Sequence, residues 1–140
     1  MHPTPYLFFN DGMCRDALEF YADVFGAEIG MISTFGEMPP SEEMAVPDAM
    51  RDHVMHGAIT WPDGGLLMAS DTLETDQPRM DRNSIHMALP GVDAARAAFD
   101  RLAEGGEVGM PFGPTFWAEG FGTVRDRFGT RWMIGTDDSA

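Results

Sequence analysis

The sequence predicts an α+β fold in which a βαβββ unit occurs twice. Segments with strand-like and helix-like patterns follow one another in the same order in both halves of the chain. Residues 26–31, GAEIGM, return as residues 105–110, GGEVGM, at the end of a predicted helix in each case. Residues 66–71 also match residues 131–137 once one extra residue is allowed. Two matching segments in the same order indicate an internal duplication.

The first half is predicted to contain four strands and one helix. Tyr6–Phe9 is an apolar run that ends at an Asn-Asp-Gly turn, which is typical of a strand. The helix is predicted over residues 17–25, where apolar side chains recur at helical spacing, and Gly26 stands where helices commonly end. Three further strands are expected at residues 28–35, 53–61 and 66–70.

The second half repeats this order after a polar linker that contains proline. A strand is predicted over residues 84–89 and a helix over residues 92–103, ended by Gly105 and Gly106. A length of 140 residues fits one domain with a hydrophobic core. We therefore expect a single domain over residues 1–140, with its first half at 4–71, its linker at 72–83 and its second half at 84–137.

The charge of the chain excludes several classes of partner. The net charge is −14, and all nine basic residues are arginines. Such a surface repels phosphate backbones and anionic lipids, so we expect no nucleic-acid and no membrane partner, whereas a cationic ligand would be attracted. No apolar run approaches the roughly 18 residues of a membrane span. Cys14 is the single cysteine, and residues 1–10 lack the features of a signal peptide, so we expect the cytoplasm.

Several short motifs of the sequence resemble those of the vicinal oxygen chelate superfamily, which includes glyoxalase I, extradiol dioxygenases and antibiotic-resistance proteins. Within it, the chain is similar to the PhnB-like branch. The motifs that carry this resemblance are PYLFFN (5–10), ALEFY (17–21), VFGA (24–27), MHGA (55–58), LMASD (67–71), FW (116–117) and RDRFGTRWMI (125–134). No strand runs into a glycine-rich loop that could seat S-adenosylmethionine, so the sequence does not support a methyltransferase.

The resemblance implies that each half curls its four strands into a half-barrel, with a helix on the outer side and a cleft on the inner side. Strand alternation then sorts the side chains between the two sides. The residues predicted to face the cleft are Tyr6, Phe8, Ser84, His86, Ala88, Arg131 and Met133, and those predicted to face a helix are Leu7, Phe9, Ile85, Met87, Leu89, Trp132 and Ile134. Half-barrels leave open edges, which superfamily members commonly close by pairing halves, so a homodimer is expected.

Metal-dependent members of the superfamily place His, Gln or Glu at the start of strands one and five and near the ends of strands four and eight. Alignment of the motifs assigns these positions to Tyr6, Leu67, Ser84 and Met133. None of the four is a carboxylate or imidazole ligand, so we expect neither a metal nor another cofactor. A rearranged metal site that uses His56 and His86, completed by Glu119, stays open as an alternative.

The predicted site is a cleft with many aromatic and few polar side chains, the usual composition of a small-molecule site. His56 and His86 are the predicted catalytic residues, because imidazole titrates near neutrality and both should point into the cleft. The predicted ligand-binding residues are Tyr6, Phe8, Trp117, Phe121, Arg125 and Met133. Residues 36–52, rich in methionine and proline, are the predicted lid, and residues 112–121 a second wall.

Three functions stay open from the sequence. The first is a PhnB-like protein that binds a small organic molecule without the standard metal, with or without catalysis by His56 or His86. The second is a non-catalytic protein that sequesters a drug or metabolite, resembling the bleomycin resistance proteins. The third is a metal-dependent lyase, isomerase or dioxygenase that uses the rearranged histidine site.

Overall fold

The computed structural model describes residues 1–39, 44–74, 77–78 and 81–137. The chain forms two compact units, unit 1 over residues 1–78 and unit 2 over residues 79–140. Within the described residues, each unit contains one α-helix and one four-stranded mixed sheet. This architecture confirms the predicted α+β fold class.

The elements follow the predicted order in both units. Unit 1 contains β1 (Tyr6–Phe9), α1 (Cys14–Phe25), β2 (Glu28–Thr34), β3 (Val54–Thr60) and β4 (Leu66–Asp71). Unit 2 contains β5 (Ile85–Leu89), α2 (Val92–Ala103), β6 (Glu107–Val108), β7 (Phe121–Arg125) and β8 (Arg131–Thr136). Each α-helix has 12 residues. No helix in the described ranges has the length and apolarity needed to cross a membrane.

The two sheets have the same topology. The strand order is β1-β4-β3-β2 in unit 1 and β5-β8-β7-β6 in unit 2. The pairs β1–β4 and β5–β8 are parallel, and the other neighbouring pairs are antiparallel. Within the part of the chain that the structure describes, neither sheet closes on itself, as the half-barrel expectation requires.

Helix α1 begins at Cys14, three residues before its predicted start, because a carboxylate distant in sequence caps it. Asp71, buried at the end of β4, accepts hydrogen bonds from the main-chain N–H of Cys14 at 2.9 Å and of Val54 at 2.8 Å. Met13, the residue before the helix, provides no side-chain cap. Asp71 therefore joins the start of α1 to the start of β3. The helix ends at Gly26 with φ +65°, as predicted.

Cys14 is fully buried, as expected for a small residue packed at the first helix. Burial, and after it the negative charge of Asp71, raises the pKa of the Cys14 thiol to about 12. The thiol is therefore protonated at neutral pH, and it does not act as a nucleophile in this fold.

Glycines let both helices approach their sheets closely. A Cβ atom on Gly57 of β3 would lie 2.7 Å from Leu18 Cδ1, and one on Gly122 of β7 would lie 2.8 Å from Phe99 Cε2. Larger residues at these positions would push the helix away from the sheet. In both units, therefore, a glycine on the third strand lets the helix pack closely on the sheet.

Burial alternates along β1, β5 and the first part of β8 as the sequence predicts. In β1, Phe9 is 3% exposed on the helix side, whereas Phe8 is 66% exposed on the opposite side. In β8, Trp132 and Ile134 are buried against the helix side. We call the side of each sheet opposite its helix the far face. The far face of unit 1 carries Tyr6, Phe8, His56, Ala58, Met68 and Ser70, and that of unit 2 carries Ser84, His86, Phe121, Thr123, Arg125, Arg131 and Met133.

The predicted lid and linker are only partly described. Residues 40–43 of the lid, and residues 75–76 and 79–80 of the linker, lie outside the described ranges. The two ends of the lid are held together, because the N–H of Phe35 donates to the His53 carbonyl at 3.0 Å and that of Gly36 to the Arg51 carbonyl at 2.8 Å.

Candidate functional site

The far face of unit 1 brings a tyrosine and a histidine together. The Tyr6 hydroxyl oxygen and His56 Nδ1 are 2.9 Å apart, and their ring centroids are 5.7 Å apart. Which of the two donates the hydrogen bond depends on the imidazole tautomer. Phe8 lies beside Tyr6 with a centroid distance of 5.1 Å. Three of the predicted site residues therefore form one aromatic cluster.

The far face of unit 2 has an aromatic end. His86 on β5 stacks on Phe121 on β7, with centroids 6.5 Å apart and ring planes at 24°. Trp117 meets Phe121 edge-on at 5.4 Å, and Phe116 meets Trp117 in the same way at 4.8 Å. Trp117 is 37% exposed and Phe116 98% exposed. The structure therefore groups three predicted site residues, His86, Trp117 and Phe121, and adds Phe116 to them.

The other end of this face carries two arginines with acidic partners. Arg125 and Arg131 are paired directly across β7 and β8, where like charges destabilise a sheet unless they are countered. Arg125 Nη2 donates to Asp81 Oδ1 at 2.7 Å, and its Nη1 donates to Glu107 Oε2 at 3.4 Å. Arg131 Nη1 donates to the main-chain carbonyl of Asp81. The predicted ligand-binding residue Arg125 is thus already engaged by carboxylates.

A pocket of about 420 Å³ opens at the arginine end of this face. Its lining includes Ser84, Glu107, Thr123, Arg125, Arg131 and Met133. Thr123 and Met133 are paired across β7 and β8, one step along the strands from Phe121. The pocket therefore extends from the arginines towards the aromatic end, and it includes the predicted ligand-binding residue Met133.

Strand register corrects two of the metal positions assigned by alignment. Leu67 is 2% exposed on the helix side of β4, so it cannot reach the far face. The far-face residue is its neighbour Met68, which pairs with Tyr6. The same parallel pairing in unit 2 joins Met133 to His86. His86, and not Ser84, is therefore the counterpart of Tyr6. Motif alignment missed Met68 because residues 66–68 are all apolar and do not alternate, and it missed His86 because a shift of two residues keeps the same face of a strand.

The corrected positions do not suit a metal ion. They hold one tyrosine, one histidine and two methionines, whereas a hard or borderline divalent cation needs several nitrogen or oxygen donors. Across the described ranges, no group of three or more His, Cys, Asp or Glu side chains could hold a metal. His56 lies in unit 1 and His86 in unit 2.

Both sheets carry an imidazole beside an aromatic ring, but the two residue types have exchanged positions between them. Tyr6 on β1 corresponds to His86 on β5, and His56 on β3 corresponds to Phe121 on β7. In unit 1 the histidine therefore stands on the third strand and is hydrogen-bonded to tyrosine. In unit 2 it stands on the first strand and is stacked on phenylalanine.

The predicted second wall, residues 112–121, divides between the two sides of the sheet. Phe112 packs at helix α2, with its ring centroid 5.7 Å from that of Phe99 and 4.8 Å from the guanidinium carbon of Arg96. Gly120 makes room for this ring, since a Cβ there would lie 2.5 Å from Phe112 Cζ. The expectation of one continuous wall is therefore wrong at Phe112.

Sequence reasoning missed the acidic partners of the arginines. Asp81 falls in the segment interpreted as a linker, and Glu107 falls in the repeated segment after α2. A usable signal was present, because Arg125 and Arg131 flank the β7–β8 turn and therefore had to face each other. Such a pair requires nearby carboxylates.

Comparisons with known proteins place the chain among related sequences and structures. The family model described as Glyoxalase/Bleomycin resistance protein/Dioxygenase superfamily matches residues 5–134. Protein YjdN from Escherichia coli (strain K12) is 35% identical over 136 residues, which cover 94% of this chain and 92% of that protein.

Two solved structures extend this comparison. The crystal structure of protein PA1353 from Pseudomonas aeruginosa is 36% identical, with a TM-score of 0.82 and 97% of both chains covered. A putative 3-demethylubiquinone-9 3-methyltransferase, PhnB protein, from Bacillus cereus is 23% identical, with a TM-score of 0.78 and coverage of 97% of this chain and 99% of that chain. The second likeness is one of fold alone.

Proposed function

This chain belongs to the Glyoxalase/Bleomycin resistance protein/Dioxygenase superfamily, and on that premise we propose that it binds a small organic molecule. The proposed site is the far face of unit 2, where an aromatic ring of the ligand lies against the exposed rings of Trp117 and Phe116, which the buried Phe121 supports. The proposal uses no metal, because the four corrected metal positions do not offer a suitable set of donors.

The exposed aromatic end is the observation that supports this proposal. Trp117 keeps 37% of its surface exposed although Phe116 and Phe121 both contact it. Covering apolar surface contributes about 25 cal/mol per Å², so a ligand ring placed here gains affinity from that surface. The adjoining pocket adds one polar and one apolar side chain, Thr123 and Met133, and its volume of about 420 Å³ lies within the range of small-molecule sites.

Titration calorimetry with 2-naphthamide, a neutral two-ring aromatic amide, tests the proposal. The wild-type protein is expected to bind this probe, and Trp117→Ala should weaken binding by about 1–3 kcal/mol because an aromatic contact is lost. The matched control is Trp61→Phe. The Trp61 indole donates to the Phe25 carbonyl at 3.1 Å at the end of α1, so its replacement should leave the affinity unchanged.

Circular dichroism of each variant establishes that weaker binding does not result from unfolding. If wild type and folded Trp117→Ala bind 2-naphthamide equally, or if wild type binds neither 2-naphthamide nor a charged analogue with the same ring system, the proposed site is wrong.

Catalysis is a second candidate function, and the contact between Tyr6 and His56 favours it. A hydroxyl group hydrogen-bonded to an imidazole can take part in proton transfer. His86, which stacks on Phe121, is the proposed base towards a ring bound at the aromatic end of unit 2. A sequestering protein, in contrast, needs neither histidine. If the wild-type protein converts a ligand that the His86→Ala variant binds but does not convert, the protein is an enzyme. If the wild-type protein releases its ligand unchanged, sequestration is favoured.

A metal-dependent lyase, isomerase or dioxygenase that uses His56 and His86 is the remaining alternative. It would require one tightly bound metal ion per chain, lost when either histidine is replaced. We also propose that the protein works in the cytoplasm, where reducing conditions suit a chain whose one cysteine is a buried thiol.

A further inference from the structure

We infer that the far face of unit 2 takes aromatic carboxylates, with Arg125 binding the carboxylate and Asp81 acting as an internal carboxylate that the ligand replaces. This inference rests on the proposed function, because it names the class of molecule that the same site binds. In this complex the aromatic end of the face binds the ring of the ligand, and the arginine end binds its carboxylate.

Arg125 has hydrogen-bonding capacity that its partners leave unused. A guanidinium carries five N–H donors in a planar fork that matches a carboxylate. Arg125 uses Nη2 for Asp81 at 2.7 Å and Nη1 for Glu107 at 3.4 Å, which is a long contact. Its Nε is buried, with no hydrogen-bond partner in the described ranges. The side chain also lines the pocket, so an added oxyanion can reach it from there.

Asp81 can be replaced at little cost. Its side chain is 52% exposed, and ion pairs of this kind contribute only about 0–1 kcal/mol. A ligand carboxylate in the same place would make an equivalent charge-assisted hydrogen bond. Arg131 bonds to the main-chain carbonyl of Asp81, so this contact does not depend on the Asp81 carboxylate.

The two ends of the face are suitably separated for one small molecule. Phe121, Thr123 and Arg125 follow one another on the far face of β7, which spaces the first and last Cα atoms by on the order of 13 Å. The long arginine side chain shortens the gap, so a ligand on the order of 10 Å long reaches both ends. Thr123, between them, lines the pocket that such a ligand would occupy.

A preference for carboxylates has to arise from groups close to the site, because the chain as a whole is negatively charged. The chain carries a charge of −14, which repels anions in general. At physiological salt, exposed charges more than about 8 Å away are largely screened, so the nearest groups dominate. Affinity for a carboxylate therefore has to come from the arginine end of the pocket.

The experiment compares 2-naphthoate with 2-naphthamide by titration calorimetry, because the two probes have similar shapes and differ in charge. Wild type is expected to bind the carboxylate about fivefold more tightly than the amide. Asp81→Asn should raise the affinity for 2-naphthoate by about two- to fivefold, because the internal competitor is gone, and leave 2-naphthamide unchanged. Arg125→Gln should remove the difference between the two probes.

The control is Asp100→Asn, which changes the net charge equally at an exposed position on α2. If Asp100→Asn raises affinity for 2-naphthoate as much as Asp81→Asn does, the effect is one of net charge and the inference is wrong. It is also wrong if the amide binds as tightly as the carboxylate, or if 2-naphthylmethylammonium binds more tightly than both. In each of these cases the proposed function still stands. If none of the three probes binds, both the inference and the proposed function are wrong.

Discussion

Trp132 and Trp117 serve different purposes within unit 2. Trp132 is 1% exposed, and its indole Nε1 donates to Asp126 Oδ2 at 2.8 Å. Asp126 Oδ1 also accepts from the main-chain N–H groups of Phe128 and Thr130, at 2.9 and 3.1 Å. One buried carboxylate thereby fixes both the β7–β8 turn and the tryptophan. Trp117 lies in a loop and stays partly exposed, so its ring is available to a ligand.

Replacing the two tryptophans should separate scaffold from site. Trp132→Ala should lower the free energy of unfolding by about 3–5 kcal/mol, because it leaves a large cavity and deprives Asp126 of a donor. Trp117→Ala should change the same quantity by less than about 1 kcal/mol. Urea denaturation followed by circular dichroism measures both values. The opposite ranking would mean that the assignment of helix side and far face is reversed.

At the scale of elements, Asp71 connects three parts of unit 1. Its two carboxylate oxygens each accept one main-chain N–H, from Cys14 in α1 and from Val54 in β3, and Asp71 itself ends β4. A negative charge at the start of a helix also interacts favourably with the helix dipole. The three elements are therefore held together by one side chain whose hydrogen-bond partners lie 57 and 17 positions away in the sequence.

Asp71→Asn should accordingly lower the free energy of unfolding by about 2–3 kcal/mol. An amide has one acceptor oxygen, so its NH₂ group would face a second N–H donor inside the core. Chemical denaturation compares this variant with Asp137→Asn, a change at an exposed acid just after β8 that should cost less than about 0.5 kcal/mol. Equal stabilities for the two variants would show that the Asp71 hydrogen bonds contribute little.

At the scale of the whole molecule, we predict a homodimer. β1 and β5 are end strands of their sheets, and Phe8 on β1 is 66% exposed, so both the strand edge and an apolar ring gain from a partner. Light scattering at tens of micromolar protein should give twice the chain mass of 15.4 kDa. A single species at the mass of one chain would refute the dimer.

Sequence patterns predicted this molecule well wherever the signal was local. The alternation in β1 correctly separated Phe9 from Phe8, because neighbouring side chains of a strand point to opposite sides. The superfamily, recognised from short motifs, is confirmed by the family match over residues 5–134. The contact between Asp71 and Cys14 was not predictable in this way, since it joins residues 57 positions apart.

The site was predicted less completely for the same reason. Tyr6 and His56 were placed on one face by strand periodicity, but their hydrogen bond joins residues 50 positions apart and needs the register of β1, β4 and β3. Arg125 was identified as a polar point of the site, whereas its bond to Asp81 spans 44 positions. Strand periodicity predicts which side of a sheet a residue faces. Its hydrogen-bond partners from distant parts of the sequence are known only from the folded chain.

The exchanged positions of tyrosine, histidine and phenylalanine have a consequence for the ancestry of this chain. We propose that the two units arose by duplication; the imidazole then stood at corresponding positions in both copies, whereas it now stands on β3 in unit 1 and on β5 in unit 2. Each pair meets across a central strand, β4 or β8, so a change in one member alters a contact that a change in the other can restore. We therefore expect substitutions at the two positions of a pair to be coupled among related sequences, which a comparison of such sequences would test.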